Sequence, residues 1–512
     1  MQTLESYLEG KWVAGGAPFT ELVDPTSGEV VARCSSNGLD RRAALEHART
    51  VGGPALRAMS FAQRGEMLEG LAKVIHTHRD DLLELSRVSG GTTRGDAKFD
   101  VDGASGTIQY YAYLGKKLGD QRVLADGEAE GILRSKRFVG QHLWTSRPGV
   151  AIHINAFNFP AWGLAEKAAA AWLAGMPVLA KPGTATVALA QRIGQLWVES
   201  GLLPEGAFAL LVGSAGDLLD HVGPQDCLAF TGGSATASRI RGHEAVVRHN
   251  VRVNIEADSL NASVLGPDVA PGSDTFQMFV NQVVHDMSQK AGQKCTAVRR
   301  IFVPEALVAA ASEALAERLG NVNVGPPGEK GIDIGPVASP AQQASVNEGL
   351  ATLESIGTAI WRADAPEGGC FVRPGLFRVD GGAEAPFVHE HEVFGPVACL
   401  LPYAGGAEEL VAMVAKGGGG LVASVYSDDP DWAGTVVLGL APWHGRIHWG
   451  SKKVHDQSPG PGTVLPNLVH GGPGKAGGGE ELGGPRGLQF YMQRTAVQAD
   501  RGLLERVLGT QS

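Results

Sequence analysis

The stretch VAIHINAFNFPAWGLAEKAAAAWLAGMPVLAKP, residues 150–182, carries the strongest fold signal in the chain. It begins with a short apolar run typical of a buried strand, continues into an alanine-rich helix that Pro160 can open at its first turn, and ends in a second apolar run. Residues 183–256 repeat the alternation, in the order helix, strand, short helix, strand, helix, strand. Such alternation predicts an α/β fold with a parallel sheet between two layers of helices.

The rest of the chain divides around this region. Residues 61–120 have apolar side chains at three- and four-residue spacing and are expected to be largely helical. A second strand–helix alternation, from about Phe276 to Val437, predicts a second α/β domain. Residues 131–149 have the mixed polar and apolar pattern of a protruding hairpin, and QRTAVQAD at 493–500 predicts a late strand. We therefore expect one domain at 1–130 and 150–257, a second at 258–470, and a small β element at 131–149 and 485–512.

The composition excludes several classes of protein. The chain has 512 residues, of which 43% are hydrophobic and 19% charged, so a globular protein with more than one core is expected. A net charge of -10 argues against nucleic-acid binding, and the basic pairs Arg299-Arg300 and Lys452-Lys453 are expected to be solvated surface. No apolar run reaches the roughly 18 residues that a membrane span needs. The acidic N-terminus does not resemble a signal peptide, and five scattered cysteines favour the reducing cytoplasm.

Polar residues follow the predicted parallel strands at their carboxyl ends. They are Asn158, Lys181, Gly213, Thr231 and Glu256. Ligands of open parallel sheets bind at this edge, so the sequence predicts a binding site there.

Two further residues have the chemistry of a covalent catalyst. Cys295 lies among small and polar residues in SQKAGQKCTAVRR, whereas Cys34, Cys227 and Cys399 lie in apolar runs typical of buried thiols. A thiol in such a polar setting can act as a nucleophile. Glu256 leaves an apolar strand, and partial burial is expected to raise its pKa toward that of a general base.

Several fragments together resemble the aldehyde dehydrogenase superfamily over essentially the whole chain. They are INAFNFP (154–160), AKP (180–182), FTGG (230–233), Glu256, GQKCTA (292–297) and EVFGPV (392–397). The resemblance implies a Rossmann-like cofactor domain, an α/β catalytic domain and a small β oligomerisation element. One departure is Ala257-Asp258-Ser259-Leu260, where members of the family usually have Leu-Gly-Gly-Lys.

The resemblance also implies the catalytic roles. Cys295 matches the thiol that attacks the aldehyde, and Asn158 with the backbone N–H of Cys295 matches the oxyanion hole. Glu256 matches the base that activates water for hydrolysis of the thioester. Lys167 matches a helix lysine near this water and its proton path.

For the cofactor, Lys181 matches the lysine that binds the adenosine ribose. Glu392 and Phe394 match the residues at the nicotinamide ribose, and Thr231 to Gly233 the loop over the pyrophosphate. The full set of expected cofactor-binding residues is Ile154, Ala156, Lys181, Pro182, Gly183, Thr184, Gly213, Thr231, Gly232, Gly233, Ser234, Glu392 and Phe394. NAD-preferring members commonly have a Glu where this chain has Thr184, so NADP is expected rather than NAD.

Residues 465–498, LPNLVHGGPGKAGGGEELGGPRGLQFYMQRTAVQ, resemble one branch of the family. Its members oxidise CoA-linked semialdehydes formed by ring opening in aerobic phenylacetate and benzoate degradation. Because no hydratase domain follows residue 512, the benzoate type is expected, with 3,4-dehydroadipyl-CoA semialdehyde as the substrate. The glycines at 471–484 are expected to shape the channel mouth for this bulky ligand.

Other interpretations remain open. The chain could oxidise free aliphatic or aromatic aldehydes, or be a catalytically silent scaffold, although Cys295, Glu256 and Asn158 argue against the scaffold. The CoA-acylating branch commonly lacks the base that Glu256 provides. GPGKAG at 472–477 is glycine-rich but follows no clear strand and opens no helix, so it is not expected to be a dinucleotide-binding loop. HEHE at 389–392 has no third ligand at a recognisable spacing, so no metal is expected. The 131–149 hairpin and the late strand match the family's oligomerisation elements and predict at least a homodimer.

Overall fold

The computed structural model describes residues 1–132, 134 and 137–508. Among them, none of the helices combines the length and the apolar character that crossing a bilayer requires. The two predicted strand–helix alternations are both present, and each forms its own seven-stranded sheet.

The first half of the chain consists of short N-terminal strands, a helical region and the strand–helix alternation. The strands are β1 (Gln2–Leu4), β2 (Ser6–Leu8), β3 (Lys11–Val13), β4 (Thr20–Val23), β5 (Val30–Cys34), β6 (Leu124–Gly131), β7 (Phe138–Ser146), β8 (Ala151–Ile154), β9 (Val178–Lys181), β10 (Phe208–Leu210), β11 (Cys227–Thr231) and β12 (Arg252–Glu256). The helices are α1 (Arg41–His47), α2 (Gly53–Ala58), α3 (Phe61–Thr77), α4 (Arg79–Gly90), α5 (Arg94–Leu118), α6 (Trp162–Ala174), α7 (Val187–Glu199), α8 (Ser234–Arg241) and α9 (Glu244–Arg248).

The first large sheet has the order β12-β11-β8-β9-β10-β2-β3. Strands β12 to β10 in this order are parallel, whereas β2 and β3 join antiparallel. Phe230 pairs with Ile154 and Thr231 with Glu256, so the polar residues after these strands meet at one edge. This is the edge at which the sequence predicts a binding site.

Helix α6 anchors this edge to the core. All its residues except Gly163 and Glu166 are buried, as expected for a helix that is apolar on every side. Its Trp172 packs edge-on against Trp197 and Phe208, and the Trp172 indole donates to the Ala207 carbonyl at 2.9 Å. Lys167 lies on the same helix and is therefore a buried cation, which requires carboxylates close by.

The second half of the chain contains the other alternation and a C-terminal extension. The strands are β13 (Ala262–Leu265), β14 (Arg300–Pro304), β15 (Thr358–Arg362), β16 (Gly375–Arg378), β17 (Val397–Tyr403), β18 (Gly420–Tyr426), β19 (His444–Gly450), β20 (Val469–Gly472), β21 (Gly479–Leu482) and β22 (Met492–Asp500). The helices are α10 (Asp274–Ser288), α11 (Val308–Leu319), α12 (Pro340–Ile356), α13 (Pro386–Glu390), α14 (Ala407–Ala415), α15 (Pro430–Leu440), α16 (Pro485–Gln489) and α17 (Arg501–Leu508).

The second large sheet has the order β15-β16-β17-β14-β13-β18-β19 and is parallel except at β15. Its central strand β14 begins five residues after Cys295. The basic pair Arg299-Arg300, whose second residue begins β14, was expected to be solvated surface, and this prediction is wrong. Arg299 and Arg300 are both buried, because each guanidinium finds several backbone carbonyls in the interior.

A third, antiparallel sheet has the order β22-β7-β6. The predicted late strand is β22, which pairs with β7 along its whole length. The predicted hairpin begins earlier than expected, because its first strand β6 starts at Leu124. Residues 133, 135 and 136 of the predicted hairpin lie outside the described residues, as do residues 509–512. The three domain assignments stay a prediction.

The glycine-rich stretch forms a partly buried hairpin in which Gly474, Gly478 and Glu480 are exposed, and its expected role at the channel mouth stays a prediction. Strands β20 and β21 pair with each other, and β21 packs beside β12. Gly471 has a φ of 142°, and a Cβ there would lie 2.0 Å from the Gly479 carbonyl oxygen. The glycines therefore let the two hairpin backbones approach each other, and the hairpin brings His470 and Glu481 into the interior.

Candidate functional site

The loop before Cys295 has an unusual backbone. Lys290, Ala291 and Gly292 all have positive φ values, of 56°, 52° and 65°. Non-glycine residues rarely adopt this conformation, and it persists only where neighbouring groups enforce it. Here Asp96 accepts the Lys290 backbone N–H at 2.8 Å, and a Cβ at Gly292 would lie 2.1 Å from the Gly395 carbonyl oxygen.

The Cys295 segment is also fixed from its other side. Asn261 donates to the carbonyls of Cys295 and Ala297 at 2.7 and 2.8 Å. Asn158 donates one amide N–H to the Gln293 carbonyl at 3.0 Å, so the predicted oxyanion donor lies beside the Cys295 loop. The second N–H of Asn158 is left for a ligand.

Cys295, Glu256 and His470 meet in one buried cluster. One ligand atom each of Glu256, Cys295 and His470 lies within 4.8 Å of the other two, and Glu256 Oε2 lies 2.9 Å from Nε2 of His470. The same Nε2 lies 3.8 Å from the Cys295 sulfur. The other four cysteines are buried free thiols remote from this cluster.

The charges in this cluster correct one prediction. Burial alone would raise the pKa of Glu256, but the positive charges of His470 and Lys167 outweigh burial and lower the pKa. The expected rise is therefore wrong, because it took no account of partners supplied by distant parts of the chain. Burial also raises the pKa of the Cys295 thiol, and the charge of Glu256 raises it further. The resting cluster favours a protonated thiol beside an ionised carboxylate.

A second group of charges lies behind Glu256. Lys167 Nζ lies 3.0 Å from Glu481 Oε2 and 3.2 Å from Glu166 Oε1. Burial opposes the charge of Lys167, but the carboxylates of Glu481, Glu166 and Glu256 raise its pKa. Asn254 donates to Glu481 at 3.1 Å and holds it in place. Lys167 is thus close enough to Glu256 to stabilise its negative charge.

A large cavity of about 1360 Å³ opens at the carboxyl ends of the first sheet. Its lining includes these residues from the expected set: Ile154, Ala156, Asn158, Lys181, Gly183, Thr184, Thr231, Gly232, Gly233, Glu256, Cys295, Glu392 and Phe394. The buried hydroxyl of Thr231 has no hydrogen-bond partner among the described residues. The volume of this cavity, its location at the carboxyl ends of the strands and its free polar groups fit a dinucleotide.

Three expected cofactor residues do not line this cavity. Pro182 does not reach the cavity, although its neighbours Lys181 and Gly183 both line it. Gly213 packs its backbone against Ser35 and Ser36, which explains its glycine without a ligand. The backbone N–H of Ser234 is bonded to Asp258 at 3.2 Å, so that donor at the helix start is already used.

Glu392 is held at the cavity by a residue that sequence reasoning assigned to the surface. Arg299 Nε donates to Glu392 Oε1 at 3.1 Å, and the Ser259 backbone N–H donates to Oε2 at 3.0 Å. The other nitrogens of Arg299 donate to the carbonyls of Gly292, Lys294 and Gly395, and its guanidinium lies 5.3 Å from the Phe394 ring centroid. Burial raises the pKa of Glu392 to about 7, although Arg299 opposes that rise. One side chain thus joins the Cys295 loop to the cavity.

A second, smaller cavity of about 500 Å³ also reaches Cys295. Phe99, Phe159 and Trp162 form its apolar wall, and Glu256, Lys167 and His470 lie at its inner end. Asn155 borders both cavities, and neither polar atom of its buried amide has a partner among the described residues. Asn158, Glu256 and Cys295 line both cavities, so the two cavities meet at the thiol.

The HEHE histidines do not converge on a common point. His389 contacts Arg300 and the Gly382 carbonyl, whereas the His391 ring stacks on Phe387. In the described part of the chain, Glu256, Cys295 and His470 are the one group with at least three candidate ligand atoms close together, within 4.8 Å. These atoms are already engaged with one another in the contacts described above.

Comparison with known proteins decides the family. The profile described as "Aldehyde dehydrogenase family" matches residues 12–497. The chain belongs to the aldehyde dehydrogenase family.

We compare the chain with two related dehydrogenases and one solved structure. The chain is 44% identical to 3,4-dehydroadipyl-CoA semialdehyde dehydrogenase of Aromatoleum evansii over 92% of this chain and 93% of the relative. It is 25% identical to succinate-semialdehyde dehydrogenase [NADP(+)] GabD of Escherichia coli, over 83% and 85% of the two chains. An NAD+ complex of a Bacillus cereus aldehyde dehydrogenase has a TM-score of 0.84 at 23% identity, covering 98% of this chain and 97% of that chain. The predicted aldehyde dehydrogenase fold is confirmed.

Three residues of this dehydrogenase site escaped sequence reasoning. His470 and Glu481 lie in a glycine-rich stretch without strand–helix alternation, and Arg299 belongs to a short basic pair. For Arg299, the one signal in the sequence was its position four residues after Cys295. His470 lies 175 residues after Cys295, so only the folded chain reveals their contact.

We expect Arg299→Lys to weaken dinucleotide binding about tenfold, or about 1.4 kcal/mol. A lysine can contact Glu392, but it cannot also reach the three carbonyls that the guanidinium fork binds. The dissociation constant can be measured from the quenching of protein fluorescence. Arg94→Lys, at an exposed arginine, is the matched control, and an unchanged constant in Arg299→Lys would remove this role.

Proposed function

We propose that this aldehyde dehydrogenase oxidises a CoA-linked semialdehyde, 3,4-dehydroadipyl-CoA semialdehyde, to the carboxylic acid with NADP. The observation that carries the chemistry is the cluster of Cys295 and Glu256 where the two cavities meet. The substrate proposal is supported by the 44% identity to 3,4-dehydroadipyl-CoA semialdehyde dehydrogenase over nearly the full length of both chains.

In the first step, the Cys295 sulfur attacks the aldehyde carbon and forms a thiohemiacetal. The free N–H of Asn158 and the backbone N–H of Cys295 stabilise the oxygen as it gains negative charge. The positive-φ loop holds the thiol in one position, which favours attack from a fixed direction. Bound dinucleotide supplies the hydride acceptor, and the thiohemiacetal becomes a thioester on Cys295.

In the second step, Glu256 accepts a proton from the water that attacks the thioester. Its lowered pKa keeps the carboxylate ionised at neutral pH, so it is ready to accept that proton. Lys167 lies behind Glu256 and stabilises the negative charge. Cleavage of the bond between carbon and sulfur then releases the acid and returns the Cys295 thiolate.

The preference for NADP rests on the adenosine side of the large cavity. Lys181, Gly183 and Thr184 line it, and the sequence has no carboxylate between Lys181 and Glu199. A carboxylate at this place would repel a 2′-phosphate, whereas a threonine hydroxyl can donate a hydrogen bond to it.

Free aldehydes are the second candidate substrates. The aromatic wall of the smaller cavity, formed by Phe99, Phe159 and Trp162, would also suit an aliphatic or aromatic aldehyde without CoA. Residues 471–484 line neither of the two cavities, so recognition of CoA inside them would involve other residues.

We also infer a homodimer. Strand β22 pairs with β7 on one side only, and its outer edge has no partner strand in the described part of the chain. An exposed strand edge readily pairs with a second chain.

The substrate proposal is tested by comparing a CoA-linked semialdehyde with a free aldehyde of the same chain length. We expect kcat/KM to be at least about a hundredfold higher for the CoA-linked substrate, because binding energy from CoA positions the aldehyde. Initial rates of NADPH formation provide the measurement, with Cys295→Ala as the inactive control and Cys370→Ala as the matched thiol control. Equal kcat/KM values would leave free aldehydes as the substrates.

We expect Thr184→Glu to shift the preference from NADP toward NAD by at least about tenfold, or about 1.4 kcal/mol. The introduced carboxylate would face the 2′-phosphate as a like charge. The measurement is the ratio of kcat/KM for the two cofactors. Thr184→Gln has nearly the same shape without the charge and serves as the control. If Glu and Gln change the ratio equally, charge at position 184 does not select the cofactor.

A further inference from the structure

His470 occupies the space between the proposed base and the proposed nucleophile. It extends from strand β20, whose glycine-rich hairpin lets the backbone come this deep into the protein. Its Nε2 lies 2.9 Å from Glu256 Oε2 and 3.8 Å from the Cys295 sulfur. Both contacts use the same ring nitrogen. Because that nitrogen carries at most one hydrogen, His470 can donate to only one of the two partners at a time.

The charges around His470 come from several elements. Glu256 on β12 and Glu166 on α6 favour the charged ring, whereas burial and Arg446 on β19 oppose it, and the pKa of His470 is raised overall. Lys167 on α6 and Glu481 on β21 form the ion pair behind Glu256. The 2.9 Å contact with Glu256 therefore favours a protonated His470 paired with an ionised Glu256 in the resting cluster.

We propose that His470 is a positioning residue that first holds Glu256 against the Cys295 thiol and then stabilises the thiolate. The proposal rests on the proposed function, in which Cys295 is the nucleophile. The thiol S–H bond breaks and its proton binds the Glu256 carboxylate. Glu256 is now neutral, so the Nε2–H of His470 loses its anionic partner and donates instead to the newly formed thiolate. No electrons are transferred, and the total charge of the three groups stays the same. Glu256 must release this proton to solvent before it accepts one from the water that attacks the thioester.

This arrangement differs from a relay in which a histidine bridges an acid and a thiol through its two nitrogens. Here a single nitrogen serves both groups in turn, and Glu256 itself takes the thiol proton. The positive charge of His470, 3.8 Å from the Cys295 sulfur, matters because burial and the charge of Glu256 both disfavour the thiolate. His470 compensates for part of that cost at the moment when the sulfur becomes charged.

The test measures how fast iodoacetamide alkylates Cys295 as a function of pH, without aldehyde or cofactor. Mass spectrometry of the Cys295 peptide isolates this thiol from the four buried ones. In His470→Phe we expect alkylation at pH 7.5 to slow at least about tenfold, with the midpoint of the pH profile about one unit higher. His470→Gln keeps an N–H donor but no charge, and it should fall between Phe and the unaltered protein.

Controls separate this role from a structural one. His444→Gln is the control variant. His444 is another buried histidine, on β19, and it is hydrogen-bonded to the Leu440 carbonyl rather than to the cluster. Melting temperature and dinucleotide binding should be retained in both His470 variants. An unchanged rate and pH profile in a folded His470→Phe protein would overturn the proposal. Because no substrate is present, failure of the CoA proposal cannot produce that result.

Discussion

The Glu256 carboxylate is buried where the two cavities meet, and cations keep it ionised there. An isolated buried carboxylate would take up a proton, because burial disfavours its charge. His470 and Lys167 reverse that tendency and lower its pKa. His470 and Lys167 come from different parts of the chain. Glu256 therefore stays ionised only when both parts are correctly folded.

The fold satisfies this condition with two contrasting elements. Helix α6 is apolar on all sides and packs in the core, so its one lysine is held rigidly beside three carboxylates. Glycines of the hairpin, such as Gly471, Gly477 and Gly479, make close backbone contacts that a side chain would prevent, so the hairpin can pack beside β12 and carry His470 inward. Arg299 then joins the Cys295 loop to Glu392, which connects the thiol to the dinucleotide cavity.

The sequence was sufficient to predict features that depend on local pattern. The alternation from β8 to β12 appears in the predicted order, because its apolar pattern is strong. Cys295, Glu256 and Asn158 were predicted to converge, and they do. His470 and Arg299 were missed because their roles depend on contacts that no local pattern encodes. The direction of the Glu256 pKa shift was wrong for the same reason, since it is determined by His470 and Lys167.

The central claim is that a thioester forms on Cys295 and that Glu256 is needed to hydrolyse it. The most direct measurement is the mass of the Cys295 peptide after prolonged incubation of Glu256→Gln with substrate and NADP at pH 9, where alkaline pH and loss of the Glu256 charge both favour the thiolate. The account predicts one acyl group on Cys295, about one NADPH per subunit, and an adduct that persists long after the unaltered protein has released its acid. NADPH formation without an adduct, or an adduct hydrolysed as fast as in the unaltered protein, would contradict it.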